Sequence, residues 1–348
     1  AEAVAHALAG RSVVVPTPTA SGKTLCYNLP VFDALLRDPE ARALYLFPTK
    51  ALSQDQMHEA HEVVGELGVD IKVHTFDGDT PETARRAIRS SGHIVVTNPD
   101  MLHQGILPHH TLWVKLFENL KYVVVDEVHN YRGVFGSHVG NVIRRLRRVA
   151  NFYGSDPQFI CCSATIANPR ELAESLTGLE MAEVDRNGAP RGEKHFIFYN
   201  PPVVNQELGI RQSVIKTTRA IAEKFMSSGA QLIVFARSRM RVELLLTYLE
   251  KAGRRVGIKS GEVRGYRGGY LPGERRAIEK GLREGTVTTV VSTNALELGI
   301  DIGRLDVCIM AGYAGTVAST WQQAGRAGRR QNLSAVVLVA SSSPADQY

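Results

Sequence analysis

Thr17-Pro18-Thr19-Ala20-Ser21-Gly22-Lys23-Thr24 follows a short apolar run, Ser12 to Val15, and leads into a helix-like segment. A strand, a turn and a helix start in that order make a phosphate-binding loop. Backbone N–H groups of the turn cradle a β-phosphate, Lys23 reaches the β- and γ-phosphates, and the Thr24 hydroxyl holds a divalent cation. All of this sits at a helix N-terminus, whose dipole favours anions. The loop pattern opens with Gly, and this chain has Thr17 there; an ordinary strand–turn–helix is the bland alternative.

A second element completes the chemistry. Lys121-Tyr122-Val123-Val124-Val125 reads as a strand buried on both faces of a parallel sheet, and it delivers Asp126-Glu127-Val128-His129 at its C-terminal end. Ligands bind at that end of open α/β sheets. Asp126 suits a Mg²⁺ ion and Glu127 a hydrolytic water, the two tasks of nucleotide hydrolysis that need carboxylates. A solvated acidic turn would be the other reading.

Around these two elements, candidate strands alternate with amphipathic segments: Ser12–Val15, Ala43–Phe47, Ile71–Thr75, Ile94–Thr97, Lys121–Val125 and Gln158–Cys162, then His195–Tyr199, Gln231–Ala236, Val287–Ser292, Val307–Ala311 and Ala335–Ala340. The alternation predicts βαβ architecture with parallel sheets. The turn-rich stretch Asp185 to Gly192, followed by Pro201-Pro202, places a domain boundary. We therefore expect an α/β chain of two domains, residues 1–190 and 191–348. A length of 348 residues fits two domains, and 44% hydrophobic residues fill two cores.

The four cysteines, Cys26, Cys161, Cys162 and Cys308, lack the spacing of a zinc site or a disulfide framework. Cys161 and Cys162 read as small core residues in a reducing compartment. With no apolar run of about 18 residues and no signal peptide visible, a soluble cytoplasmic protein without membrane contact is expected. The excess of 41 Lys and Arg over 35 Asp and Glu, net +6, permits a polyanionic partner. Arg144-Arg145 and Arg147-Arg148 read as a solvated basic face with one or two phosphate contacts.

Near the end, Gln322-Gln323-Ala324-Gly325-Arg326-Ala327-Gly328-Arg329 spaces two arginines three apart, on one face if helical. A guanidinium stays ionised and binds phosphoryl oxygens bidentately. If both domains flank one nucleotide, Arg326 and Arg329 reach it on closure. A solvent-facing basic helix is the alternative.

Taken together, Ser21-Gly22-Lys23-Thr24, Pro48-Thr49-Lys50-Ala51-Leu52, Thr97-Asn98-Pro99-Asp100, Asp126-Glu127-Val128-His129, Ser163-Ala164-Thr165, Ser292-Thr293-Asn294-Ala295 through Gly299-Ile300-Asp301, and Gln322 through Arg329 resemble the ordered motifs of a superfamily 2 helicase motor core of the DEAH/DEVH type. The segments Asp77 to Pro81, Tyr131 to Gly136 and Tyr266 to Tyr270 are most similar to MrfA-like DNA repair helicases. The resemblance implies two tandem RecA-like domains with ATP and Mg²⁺ in the cleft between them.

Carried onto this sequence, it implies that Thr19, Ala20, Ser21, Gly22, Lys23, Thr24 and Leu25 bind nucleotide, with Gly299 and Asp301 from the second domain. Glu127, Asp126, Lys23, Gln322, Arg326 and Arg329 serve catalysis, and Thr24 and Asp126 hold the metal. His129, Ser163, Ala164 and Thr165 couple the nucleotide site to the strand. Pro48, Thr49, Lys50, Thr97, Asn98, Pro99, Arg237, Ser238, Arg267, Gly268, Thr293 and Asn294 grip successive phosphates of the nucleic acid without reading bases. Each of those stretches fits a plain helix cap or turn equally well.

The implied activity is ATP-driven movement along single-stranded or tailed duplex DNA, 3′ to 5′, in DNA repair. An RNA helicase carries the same residues, because nothing here reports on the 2′-hydroxyl; a nucleotide-switched clamp without unwinding is the remaining alternative. Relatives also carry an adenine-recognising glutamine element before the first strand and a zinc-binding C-terminal domain. Both are expected to be missing from this excised core.

Overall fold

The computed structural model describes residues 1–17, 22–188, 192–297, 302–303, 305–328 and 333–347. It divides into two compact units, Ala1–Gly188 and Ala189–Tyr348.

In the first unit, seven strands form one sheet: β1 (Val13–Pro16), β2 (Arg42–Leu46), β3 (Val73–Thr75), β4 (Ile94–Thr97), β5 (Leu120–Val125), β6 (Gln158–Ser163) and β7 (Ala182–Glu183). Their order is β3-β4-β2-β5-β6-β1-β7, and every pairing is parallel. The unbroken apolar runs follow from cover on both faces. Val123 and Val125 join Leu44, Leu46, Phe159 and Cys161 in one core, while Tyr122 and Val124 join Ala43, Tyr45, Ile160 and Cys162 in the other. That partition is the period of two of a strand.

The second unit carries β8 (Lys194–Tyr199), the short antiparallel pair β9 (Val203–Asn205) and β10 (Ile210–Arg211), then β11 (Leu232–Ala236), β12 (Val263–Tyr266), β13 (Thr289–Ser292), β14 (Val307–Ala311) and β15 (Ser334–Val339). Its main sheet runs β12-β13-β11-β14-β15-β8, again parallel throughout. Two parallel sheets, each with helices between strands, bear out the expected α/β architecture of two RecA-like domains.

The sequence pattern missed β7, β9, β10 and β12. In β12, Arg264 and Gly265 interrupt the apolar run; a β-carbon on Gly265 would lie 2.6 Å from the Tyr270 hydroxyl, so the close approach of Tyr270 demands glycine. The basic run after the acidic motif also acquires a structural task. Arg147 Nη1 donates to the carbonyls of Thr177 and Gly178, at 3.1 and 3.2 Å, where the helix Pro169–Thr177 ends. A guanidinium there satisfies orphan carbonyls and opposes the helix dipole.

Among the described residues, no helix is long and apolar enough to cross a membrane. Cys161 and Cys162 are buried, as expected of core residues, and Cys308 is buried as well.

Candidate functional site

Parallel strands put the segments that follow them on one sheet edge. In the first unit this C-terminal edge has two neighbouring halves: β4 and β2 carry Thr97-Asn98-Pro99 and Pro48-Thr49-Lys50, while β5, β6 and β1 carry the acidic motif, Ser163-Ala164-Thr165 and the phosphate-loop segment.

Gly22 has φ 78°, the left-handed conformation, and caps the helix Lys23–Arg37 without any side-chain cap. In that first turn the Leu25 N–H donates to the Gly22 carbonyl at 3.1 Å. Lys23 Nζ donates to the Ser163 carbonyl at 3.2 Å, which brings the loop lysine to the end of β6. Thr24 Oγ1 donates to Gln56 Oε1 at 3.3 Å, and the Tyr27 hydroxyl donates to the same oxygen at 2.6 Å. Gln56, on the helix Lys50–Leu67, gave no sequence signal; its role depends on a partner 32 residues away. Leu25 is exposed at the helix start. Thr19, Ala20 and Ser21 lie outside the described residues.

Asp126 and Glu127 are both buried. Asp126 N–H donates to Leu46 O at 3.0 Å, and its Oδ1 accepts the Glu127 N–H at 2.8 Å, which fixes the carboxylate at the strand end. Burial pushes the Asp126 carboxyl up to about 7, with the Glu127 charge adding to it and Lys23 opposing. Glu127 has φ 53°, ψ 43°, the one left-handed non-glycine residue among those described. Such a backbone costs about 1–2 kcal/mol and concentrates at functional sites.

His129 Nδ1 accepts the Ala164 N–H at 3.1 Å and stands 3.3 Å from Glu127 Oε2. A ring nitrogen that accepts a hydrogen bond presents a lone pair, so this contact with Glu127 is not an ion pair while the ring is neutral. Glu127 Oε2 is accordingly buried without a hydrogen-bond donor from the protein, as is Ser163 Oγ. His129 and Ala164 join β5 to β6, whereas Thr165 is exposed.

Thr24, Asp126 and Glu127 carry oxygen donors of the kind a hard cation such as Mg²⁺ takes. Among the described residues, no cluster of three His, Cys, Asp or Glu has metal-binding geometry.

On the neighbouring half of the edge, Thr49 accepts from Leu52 N at 3.4 Å and Asn98 Oδ1 from Met101 N at 2.8 Å, each capping a helix. Thr97 Oγ1 is buried and donates to Phe76 O at 2.6 Å. Lys50 Nζ lies 2.7 Å from Asp79 Oδ2.

In the second unit, β12, β13 and β11 are neighbours, and their C-terminal ends carry Arg267-Gly268, Thr293-Asn294 and Arg237-Ser238. Ser238 and Thr293 are helix caps, accepting from Arg241 N and Ala295 N. Arg267 Nε meets Glu243 Oε1 at 2.6 Å, and Arg237 pairs with Asp346 at 3.8 Å.

The glutamine–arginine motif departs from its expected form. The helix Val317–Ala324 ends before Arg326, which lies beyond it. Arg326 is fully buried, and its Nη2 donates to the Glu297 carbonyl at 2.7 Å. Gln322 is buried as well, and its neighbour Gln323 donates to Glu297 Oε2 at 2.9 Å. Glu297, an acid inside the apolar stretch Ala295-Leu296-Glu297-Leu298, is the residue that sequence reasoning passed over; its charge among apolar neighbours was the available signal. Gly328 turns the chain at φ 79°, where a β-carbon would come within 2.3 Å of Ser334 Oγ. Gly299, Asp301 and Arg329 lie outside the described residues.

Comparison with known proteins agrees with this geometry. Residues 1–172 match the model of the DEAD/DEAH box helicases, and residues 215–331 that of the helicase conserved C-terminal domain. The ATP-dependent helicase YprA of Bacillus subtilis is 63% identical over 97% of this chain and 45% of its own length. The ATP-dependent helicase HRQ1 of Saccharomyces cerevisiae is 42% identical over 100% of this chain and 33% of its own. A crystal structure of the DUF1998 helicase MrfA bound to DNA and AMPPNP superposes with a TM-score of 0.96 at 61% identity, covering 100% of this chain and 48% of that one. The chain thus spans less than half the length of each of these three relatives. With one helicase model on each unit, in the family's order, the chain belongs to the superfamily 2 helicases of the DEAD/DEAH box type.

Proposed function

We propose that this chain is the ATP-driven motor core of a DNA repair helicase, moving along single-stranded DNA in the 3′-to-5′ direction. The observation that carries the reading is the order along the two sheet edges. Candidate phosphate and acid residues gather on β5, β6 and β1, while the candidate strand-gripping residues gather on β4 and β2 of the first unit and on β12, β13 and β11 of the second. The MrfA relative holds DNA and AMPPNP, which supports DNA as the partner and ATP as the nucleotide.

In this reading residues 1–190 bind and hydrolyse the nucleotide and residues 191–348 add a second edge of strand-gripping residues. Lys23 neutralises phosphate charge, and the dipole of the helix behind Gly22 favours an anion at its N-terminus. Thr24 and Asp126 would hold Mg²⁺, which when bound offsets charge on the phosphates and takes its other ligands from nucleotide and water. Glu127, with one oxygen free of protein donors, orients and deprotonates the attacking water. His129 and Ser163 carry the state of that acid to the ends of β5 and β6.

Arg326, buried, holds the Glu297 carbonyl, and the phosphate-sensing role falls to Arg329. The capping residues Thr49, Asn98, Ser238 and Thr293 hold helix N-termini whose amides meet backbone phosphates, a grip that reads no sequence.

The test compares ATPase stimulation by single-stranded DNA and by RNA of matched sequence, followed by strand displacement on duplexes with 3′ or 5′ tails. Stimulation by DNA and displacement from the 3′ tail are expected. Stimulation by RNA alone would replace the DNA reading with an RNA helicase, and binding without displacement would make the core a clamp.

A further inference from the structure

Each basic side chain assigned to the strand already holds a carboxylate, and two of the three carboxylates are exposed. Asp79 sits in a braced turn: its N–H donates to Asp77 Oδ1 at 2.9 Å, and Arg85 ties the same turn through the carbonyls of Thr80 and Asp77. The turn presents Asp79 Oδ2 to Lys50 Nζ at 2.7 Å, with the two side chains 80% and 47% exposed. In the other unit, Glu243 lies on the helix Arg239–Arg255, one turn beyond the Ser238 cap, and takes Arg267 Nε at 2.6 Å. The Tyr270 hydroxyl donates to the same carboxylate oxygen, and the Arg267 guanidinium lies 4.8 Å from the Tyr270 ring centre.

The third acid differs in kind. Asp346 is wholly buried, and its Oδ2 accepts the Tyr313 and Ser341 N–H groups, so it anchors the chain whether or not Arg237 is near.

We propose that Asp79 and Glu243 are built-in competitors of nucleic-acid phosphate, each occupying the cation that a backbone phosphate must take over. The proposal rests on Lys50 and Arg267 gripping the strand, as in the functional reading above. A phosphate that captures Lys50 displaces Asp79 into water, where an exposed carboxylate is solvated at small cost and no buried charge is stranded. The grip therefore stays reversible. A motor must release each phosphate as it advances, and a carboxylate waiting beside the cation lowers the barrier to release by recapturing it.

Exposed pairs of this kind are worth little, so removing one competitor tightens strand binding by about two- to five-fold. The difference shrinks at high salt, because exposed charges are screened within ~3 Å at about 1 M. A carboxylate whose task is to orient the cation gives the opposite sign: its loss loosens binding.

The experiment measures fluorescence anisotropy of a fluorescein-labelled oligothymidylate of about 20 nucleotides, long enough to cross several binding sites, with the 348-residue chain at low and high salt. Asp79→Asn and Glu243→Gln are compared with the parent, and Lys50→Ala and Arg267→Ala report on the grip itself. The proposal expects the two acid variants to bind tighter at low salt and the two cation variants to bind weaker. Acid variants that bind equally or more weakly, while the cation variants still lose affinity, overturn the competitor role and leave the functional reading standing. Cation variants that bind like the parent overturn the grip and the proposal together.

Discussion

Replacing Glu127 with Gln should flatten the pH dependence of the first unit's stability. Asp126 is 7% exposed and its carboxyl is pushed up to about 7, by burial first and then by the Glu127 charge. In the unfolded chain the same group titrates near 3.8. Between about pH 4 and 7 the folded state therefore holds a proton that the unfolded state lacks, so stability falls as pH rises through that window and levels off above it. One such proton amounts to about 1.4 kcal/mol for each pH unit inside that window. For a domain of this size the melting temperature drops by about 3–5 °C per pH unit.

The Glu127→Gln change keeps the shape of the side chain and removes the like charge, so the Asp126 carboxyl returns toward its ordinary range and less of that loss remains. Thermal unfolding of parent and variant in chelator, without nucleotide, at about pH 5, 6 and 7 measures the difference, and titrations common to both proteins cancel. Parallel stability curves for the two proteins would refute the reasoning, because they would mean that Glu127 does not load its neighbour.

Three further outcomes follow from packing and reactivity. Arg326→Ala should destabilise the second unit by about 3 kcal/mol in chemical denaturation, since it strands the buried Glu297 carbonyl and opens a cavity; a variant with parental stability and lost turnover would instead make Arg326 a direct phosphate contact. Gly328→Ala should cost about 2–3 kcal/mol in the same assay, because the backbone is left-handed and the new methyl meets Ser334 Oγ; an unchanged unfolding midpoint would contradict the φ of 79°. Native protein at neutral pH should resist alkylation at Cys161 and Cys308, whose thiols burial pushes up to about 12, and at Cys162, which burial also raises well above the ordinary range, and should label at the partly exposed Cys26; mass mapping of the modified peptides decides it.

What could be read from the chain depended on how local its physics was. The strands β5 and β6 were legible because parallel strands covered on both faces leave unbroken apolar runs, and each run ends on the residues that matter: Asp126-Glu127 and Ser163-Ala164-Thr165. By contrast β12 was hidden, because Arg264 and Gly265 answer to an edge position and to the Tyr270 hydroxyl. The motif at Gln322 was recognised by composition, yet its geometry was not. Nothing local says that the helix stops at Ala324, or that Arg326 finds its carbonyl acceptor 29 residues earlier. Gln56 and Glu297 escaped for the same reason: a polar residue's role is fixed by a distant partner, and spacing alone carries no trace of it. The four capping residues were read as two equal possibilities, and the side chains of Thr49, Asn98, Ser238 and Thr293 do bond to their own helices; any phosphate grip at those positions rests on amides.

The central claim is that Lys23, Asp126 and Glu127 form a nucleotide-hydrolysing site answering to nucleic acid. The most direct measurement is ATP turnover by the chain with and without single-stranded DNA, run beside nucleotide binding in Glu127→Gln and Lys23→Ala. The account predicts turnover that rises with DNA, falls by at least about 100-fold in Glu127→Gln with nucleotide binding preserved, and disappears with binding in Lys23→Ala. Turnover retained by Glu127→Gln, or nucleotide bound as well without Lys23 as with it, would contradict it.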